Sequence, residues 1–239
     1  MKLSGRAIAS FAGVAVLAAA IVASFMLLGS GVPVQPGQAD VIAGLGAGTI
    51  AEPAAADGAQ LPEQILSCDF AVVYTSVGQL KSVSDLVVRG EVTDVSYLDF
   101  NTVVYTKLTL TVAKCFKGDA GVGDEVTILE PGGITTQAYV VGDKFGGPTK
   151  ADTETKVKVL VDGAPLTQLG DTCLFFLGTG DISVVPGTYY VPMGSFQGRF
   201  KIDNGAAKRF VPADWGSKYT SLSMDESTVD STVAQAAGQ

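Results

Sequence analysis

The side chains able to move a proton in this sequence are carboxylates, and five of them, Asp94, Asp99, Asp119, Asp124 and Glu125, cluster in its middle third. A glycan hydrolase would need two such acids facing each other across a cleft. All five fall at turns or strand ends, where acidic residues commonly serve as turn formers. The 119–125 segment could hold calcium, but it lacks the alternating acidic ligands of an EF-hand loop. Histidine is absent from all 239 residues, which excludes imidazole bases, Ser-His-Asp and Cys-His pairs, and histidine-bound zinc. Cys68, Cys115 and Cys173 lack the C-x-x-C spacing of a zinc or redox site, and their odd number leaves at least one thiol unpaired. Cys115 and Cys173 read as buried thiols, with a disulfide between them as the alternative. Tyr97, Phe100, Tyr105 and Tyr139 either line a sugar or peptide groove or serve as core and cross-strand partners. No catalytic residue, cofactor site or metal site is therefore assigned, and the chain is expected not to be an enzyme.

The elements that must position these residues are β-strands. Leu86 to Tyr97 alternates, with Leu86, Val88, Gly90 and Val92 on a core face and Arg89, Glu91 and Thr93 on a wet one. Gly90 in mid-strand points to a bulge or a sharply coiled strand. After a turn at 99–102, Val104, Leu108, Leu110 and Val112 share one face of a second strand, antiparallel to the first. The alternation slips at 113–116, placing Lys114 on the inward parity and predicting a bulge there. Glu125 to Leu129 is a third strand, ended by Pro131-Gly132-Gly133. Gln137 to Val141 and Thr155 to Val161 are weaker strands, and the Gly/Pro/Lys-rich loop GDKFGGPTKADTE between them is a candidate contact surface. DTCLFFL, Asp171 to Leu177, is a central strand. Tyr189 to Val191 and Phe196 to Ile202 follow as another hairpin-like pair, with turns at Pro186-Gly187 and Asp203-Asn204-Gly205.

Short helices flank the strands. Thr75 or Ser76 caps a helix over Val77 to Val83. Upstream, Leu61 to Tyr74 ends in the β-prone run DFAVVY, either a short helix or an edge strand. Ser223 to Glu226 reads as a capping box opening a last helix that carries Val229 and Val233.

At the amino terminus, Lys2 and Arg6 precede an uncharged, almost wholly apolar run from Ala7 to Leu28, long enough to span about 30 Å of hydrocarbon. The positive side is amino-terminal, which places the remainder outside the cytoplasm. The run is either a retained anchor or a signal peptide cleaved after Gly37-Gln38-Ala39. Residues 30–60 form a Gly/Ala/Pro spacer. Within it GLGAG, Gly44 to Gly48, has neither a preceding strand nor the Lys-Ser/Thr of a phosphate loop. The expected organisation is 1–29 membrane anchor or signal peptide, 30–60 linker, 61–212 β-domain and 213–239 short helix and polar tail. A net charge of -8 argues against a nucleic-acid partner.

SDLVVRGEV, KLTLTVAKCFKG and GDTCLFFL resemble the netrin-like OB-fold domains typified by tissue inhibitors of metalloproteinases. They resemble more closely uncharacterised extracellular domains of Gram-positive bacteria. The resemblance spans roughly Ser84 to Asn204 and implies a small closed OB-like Greek-key β-barrel. Family inhibitors chelate the target's zinc through an amino-terminal cysteine, whereas Cys68 is internal and has no C-x-C partner. The resulting expectation is a non-enzymatic bacterial cell-surface or secreted β-barrel module, tethered through the amino-terminal helix, that contacts an envelope protein or glycan. A carboxylate-dependent glycan hydrolase and a netrin-like protease inhibitor are the alternatives.

Overall fold

The computed structural model describes residues 50–51, 61–141, 149–212 and 222–236. The apolar run 7–28, the cleavage position, GLGAG and residues 142–148 of the long loop lie outside the described residues. Among the described residues no helix is long and apolar enough to cross a membrane. The strands are β1 (Ile50–Ala51), β2 (Glu63–Leu66), β3 (Leu86–Phe100), β4 (Val103–Lys117), β5 (Glu125–Pro131), β6 (Gly133–Thr136), β7 (Lys156–Val161), β8 (Thr172–Thr179), β9 (Tyr190–Pro192), β10 (Arg199–Asp203), β11 (Ala206–Arg209) and β12 (Ser223–Asp225). The helices are α1 (Val77–Val83), α2 (Gln137–Val141), α3 (Lys150–Glu154) and α4 (Val229–Gln235), with a 3-10 turn at Ser195–Gly198. The fold is mainly β, as expected.

The large sheet has a circuit of pairings. β3 pairs antiparallel with β4, β4 with β5, β8 with β9 and β8 with β3, while a parallel bridge from Ile128 to Tyr190 joins β5 to β9. The spatial order is β8-β3-β4-β5, with β8 returning to lie beside β3. Three register shifts break the β3–β4 ladder, next to Val88, Gly90 and Asp94. Two of them fall opposite 113–116, where the alternation slips. A Cβ on Gly90 would stand 2.1 Å from the Thr111 carbonyl oxygen, so glycine is required by close approach of the neighbouring strand. A second, three-stranded sheet runs β2-β7-β6, with β2 parallel to β7.

Two main clusters fill the space on either side of β3 and β8. Leu86, Val88 and Val92 join Leu108, Leu110, Val112, Ile128, Cys173, Phe175 and Leu177 in the first. Val87, Leu174, Phe176, Phe200 and Ile202 join Leu80, Val229 and Val233 in the second. Each such side chain, fully buried, contributes about 1.5–3 kcal/mol. The wet face expected for the first long strand is therefore dry over its early part, because α1 and α4 pack there. Arg89 and Lys114 of that face hold Asp230 of α4 at 2.9 and 3.1 Å. Lys114 consequently points out of the first core, contrary to its apparent parity, since the bulge leaves Ala113 unpaired in the ladder.

Other assignments also differ: β9 and β10 do not form a hairpin with each other, because each pairs antiparallel with β8, β9 at residues 177–179 and β10 at residues 173–175. Gln137 to Val141 is helix rather than strand, with the Tyr139 N–H bonded to the Thr136 hydroxyl at 3.4 Å. Phe196 lies in the 3-10 turn ahead of the strand, after Gly194 at φ 58°, and packs edge-on against Phe70 at 5.3 Å. DFAVVY is neither helix nor strand; the strand in that region is β2. β5 continues through Pro131, opposite Tyr105. Ser223 to Asp225 is strand rather than cap, because it pairs with β11, and α4 begins after Thr228. Within the expected spacer, Ile50 and Ala51 pair with Tyr97 and Ser96 of β3.

Candidate functional site

A cleft of about 590 Å3 lies along β7, the 163–171 segment and the β10–β11 hairpin. That volume is typical of small-ligand sites. The hairpin is set by its turn: Asn204 and Gly205 have φ of 50° and 79°, a two-residue loop with both central residues left-handed. The resulting register puts Asp203 opposite Ala206, Lys201 opposite Lys208 and Phe200 opposite Arg209. Lys201, Asp203, Ala206 and Lys208 therefore share the cleft-lining face.

Polar pairs hold the walls. The Lys201 Nζ donates to Asp171 Oδ1 at 2.6 Å, and the Gln168 N–H donates to Asp171 Oδ2 at 2.9 Å. The Asp171 hydrogen bond pushes the Lys201 ammonium above its ordinary pKa. Lys158 meets Glu63 at 3.2 Å, and Asn204 Nδ2 donates to Asp203 Oδ2 at 2.8 Å. Every carboxylate of the cleft is thus engaged with a neighbouring donor. Lys208 is exposed and, among the described residues, forms no ion pair.

Behind the cleft wall sits a desolvated ion pair. Arg199 and Glu130 are 4% and 0% exposed, with Nη1 and Oε2 2.5 Å apart. The Thr167 hydroxyl donates to Glu130 Oε1 at 2.8 Å, and Arg199 Nη2 donates to the Pro165 carbonyl at 3.2 Å. The guanidinium lies 4.7 Å from the centre of the Phe210 ring. Arg199 thereby fixes two cleft residues, Pro165 and Phe210, without lining the cleft itself.

The residues singled out by sequence fall elsewhere. Asp94, Asp119, Asp124 and Glu125 are exposed and stand outside the cleft, and Asp124 closes a turn by accepting from the Gly121 N–H at 2.7 Å. Asp99 accepts from the Thr135 hydroxyl at 2.8 Å. Burial raises its pKa, with Thr135 and Lys156 opposing. Burial, assisted by the Asp99 charge, pushes the Tyr139 phenol up to about 12. The four aromatics are divided among three clusters: Tyr97 in the first core, Phe100 and Tyr105 with Leu98, Leu129 and Tyr189, and Tyr139 with Val104 and Val157. They do not form a common groove.

The three thiols are free. Cys115 is opposite Val88 from one side of β3 and Cys173 opposite Gly90 from the other. Two strand spacings, about 9.5 Å, separate them, beyond the roughly 7 Å that a disulfide bridges. Burial lifts the Cys173 thiol well above its ordinary pKa, and burial with Asp162 and Asp69 lifts Cys68 to about 11. Neither is a thiolate at neutral pH. Among the described residues no three His, Cys, Asp or Glu side chains are grouped to hold a metal ion.

Comparison with protein families, with curated proteins and with solved structures finds no match for the chain. The geometry of the site therefore carries the functional argument. Sequence reasoning passed over Lys158, Lys201 and Lys208, although for Lys201 and Lys208 the DNGA turn supplied the signal. A two-residue turn at Asn-Gly places residues three before and four after the asparagine directly opposite each other.

Proposed function

We propose that residues 61–212 form a small OB-like Greek-key barrel acting as a non-enzymatic binding module, which contacts a protein or glycan of the bacterial envelope through the cleft on β7, β10 and β11. The circuit β3-β4-β5-β9-β8 and its apolar filling support the barrel reading. The charged amino terminus ahead of the apolar run 7–28 supports an extracytoplasmic module, anchored or secreted. One observation carries the choice of binding over catalysis: Glu63, Asp171 and Asp203 are each engaged by Lys158, Lys201 or Asn204, on elements fixed by sheet pairing. Hydrolysis by paired carboxylates needs one acid free to donate and another free to attack or to activate water. An array of satisfied charges on a rigid frame is instead suited to recognition.

Affinity capture tests this reading. The full chain, immobilised and exposed to surface fractions of intact bacterial cells, retains specific components, and a Lys201→Ala/Lys208→Ala variant loses them. Equal retention by both proteins rules out the cleft as the contact. Mass spectrometry of the mature amino terminus settles the tether, since a peptide beginning at Asp40 means a secreted protein.

A further inference from the structure

Among the paired charges of the cleft, two ammonium groups stand side by side. Lys201 and Lys208 are directly opposite in the β10–β11 ladder and point to the same side. Like charges so placed are destabilising. Lys201 is paired with Asp171 and also feels the charge of Asp203, while Lys208 forms no ion pair among the described residues, with Asp203 and Asp225 lying diagonally across the ladder from it. Yet the chain as a whole carries a net charge of -8, so acidic residues to neutralise the pair are plentiful in its composition. An oxyanion supplied from outside and bridging the two ammonium groups would gain charge-assisted hydrogen bonds from both.

The backbone around the cleft narrows the class of ligand. β7 is paired on both sides, by β2 and β6; β10 is paired by β8 and β11; β11 is paired by β10 and β12. None of these three strands offers a free edge on which an extended peptide could add as a further strand, and the edge strand β2 contributes only Glu63 to the cleft. Recognition falls to side chains: the lysines, the polar ends of Asp203 and Asn204, and an apolar wall including Leu166. Alternating polar and apolar surface of this size matches a compact polyhydroxylated ring better than a peptide backbone.

We propose that the cleft binds an anionic saccharide, one or two sugar rings bearing a carboxylate or phosphate group seated between Lys201 and Lys208. This rests on the contact-module reading above and names the chemistry of its ligand.

Titration calorimetry on the full chain in a sugar-free non-ionic detergent tests it. The probes are digalacturonate, galactobiose, galactose 6-phosphate, galactose and an Asp-Glu-Asp peptide. At least one of the two anionic sugars binds, its neutral counterpart binds about tenfold or more weakly, and raised salt weakens the anionic ligand alone. Whichever anionic sugar binds identifies carboxylate or phosphate as the group recognised. Lys208→Gln and Lys201→Gln each reduce that affinity about tenfold, whereas Lys150→Gln, an exposed control on α3, leaves it unchanged. Equal binding of charged and neutral sugars overturns the anion proposal and leaves glycan contact standing. Binding of the peptide alone overturns the saccharide and leaves a protein contact. Absence of binding by every probe overturns the proposal, and the contact reading falls with it only if surface capture is also blank.

Discussion

The β10–β11 hairpin has two unlike faces. Phe200, Ile202 and Ala207 turn one way into the second core, beside Leu174, Phe176 and Met224. Arg199, Lys201, Asp203 and Lys208 alternate with them and turn the other way, toward the buried Glu130 and the open cleft. One two-stranded ladder thus carries a largely apolar surface, with the buried Arg209 guanidinium over the Phe200 ring, and a charged surface whose parts differ in their worth. Arg199, cut off from water, must keep its carboxylate. Lys201 shares one in a half-exposed setting, and Lys208 stands opposite another cation. Stability and recognition are separated here by a single residue step along the strand.

Breaking the apolar face has the largest expected effect. Phe200 is fully buried and packs at 5.7 Å against Phe176, so Phe200→Ala costs about 3–5 kcal/mol in denaturant unfolding. On the charged face, Glu130→Ala leaves the Arg199 guanidinium without its counter-ion and costs a comparable 3–5 kcal/mol or slightly less. The double variant Glu130→Met/Arg199→Met separates the two causes. If the penalty of the single variant comes from an uncompensated charge, the double variant regains most of it. A double variant as unstable as Glu130→Ala would show that the pair's remaining contacts to Thr167, Pro165 and Phe210 are what matter.

The contrast between faces was partly legible in the sequence. KIDNGAAKRF alternates with period two around an Asn-Gly turn, and the register follows from those residues alone. The long first hairpin and the central strand DTCLFFL were equally legible, because their apolar spacing is strong and their core is close in sequence. The cleft was not, since its walls come from Lys158, Gln168 and Lys208, brought together by pairings between distant segments. Phe196 and Gln137 to Val141 were misread for a related reason. Their β-prone composition is overridden by a left-handed Gly194 in one case and by local side-chain hydrogen bonding at Thr136 in the other. Carboxylates at turns drew notice because acids advertise chemistry, whereas an exposed lysine is ordinary until its cross-strand neighbour is known.

The smallest expected effect is also the most discriminating, because its sign is opposite to the others. Lys208→Gln removes one of two ammonium groups facing each other across the ladder while keeping an exposed polar side chain of similar length. It leaves Arg199, Glu130 and the apolar face untouched. The empty protein should gain about 0.2–1 kcal/mol, read as a rise in the denaturation midpoint at low ionic strength. Because the repulsion acts between partly exposed charges, the gain should vanish near 1 M salt, where the screening length falls to about 3 Å. A gain that persists in high salt would be a local propensity effect. A loss of stability would mean that Lys208 already has a carboxylate partner in the folded chain, which would remove the charge conflict that sets this face of the hairpin apart from the other.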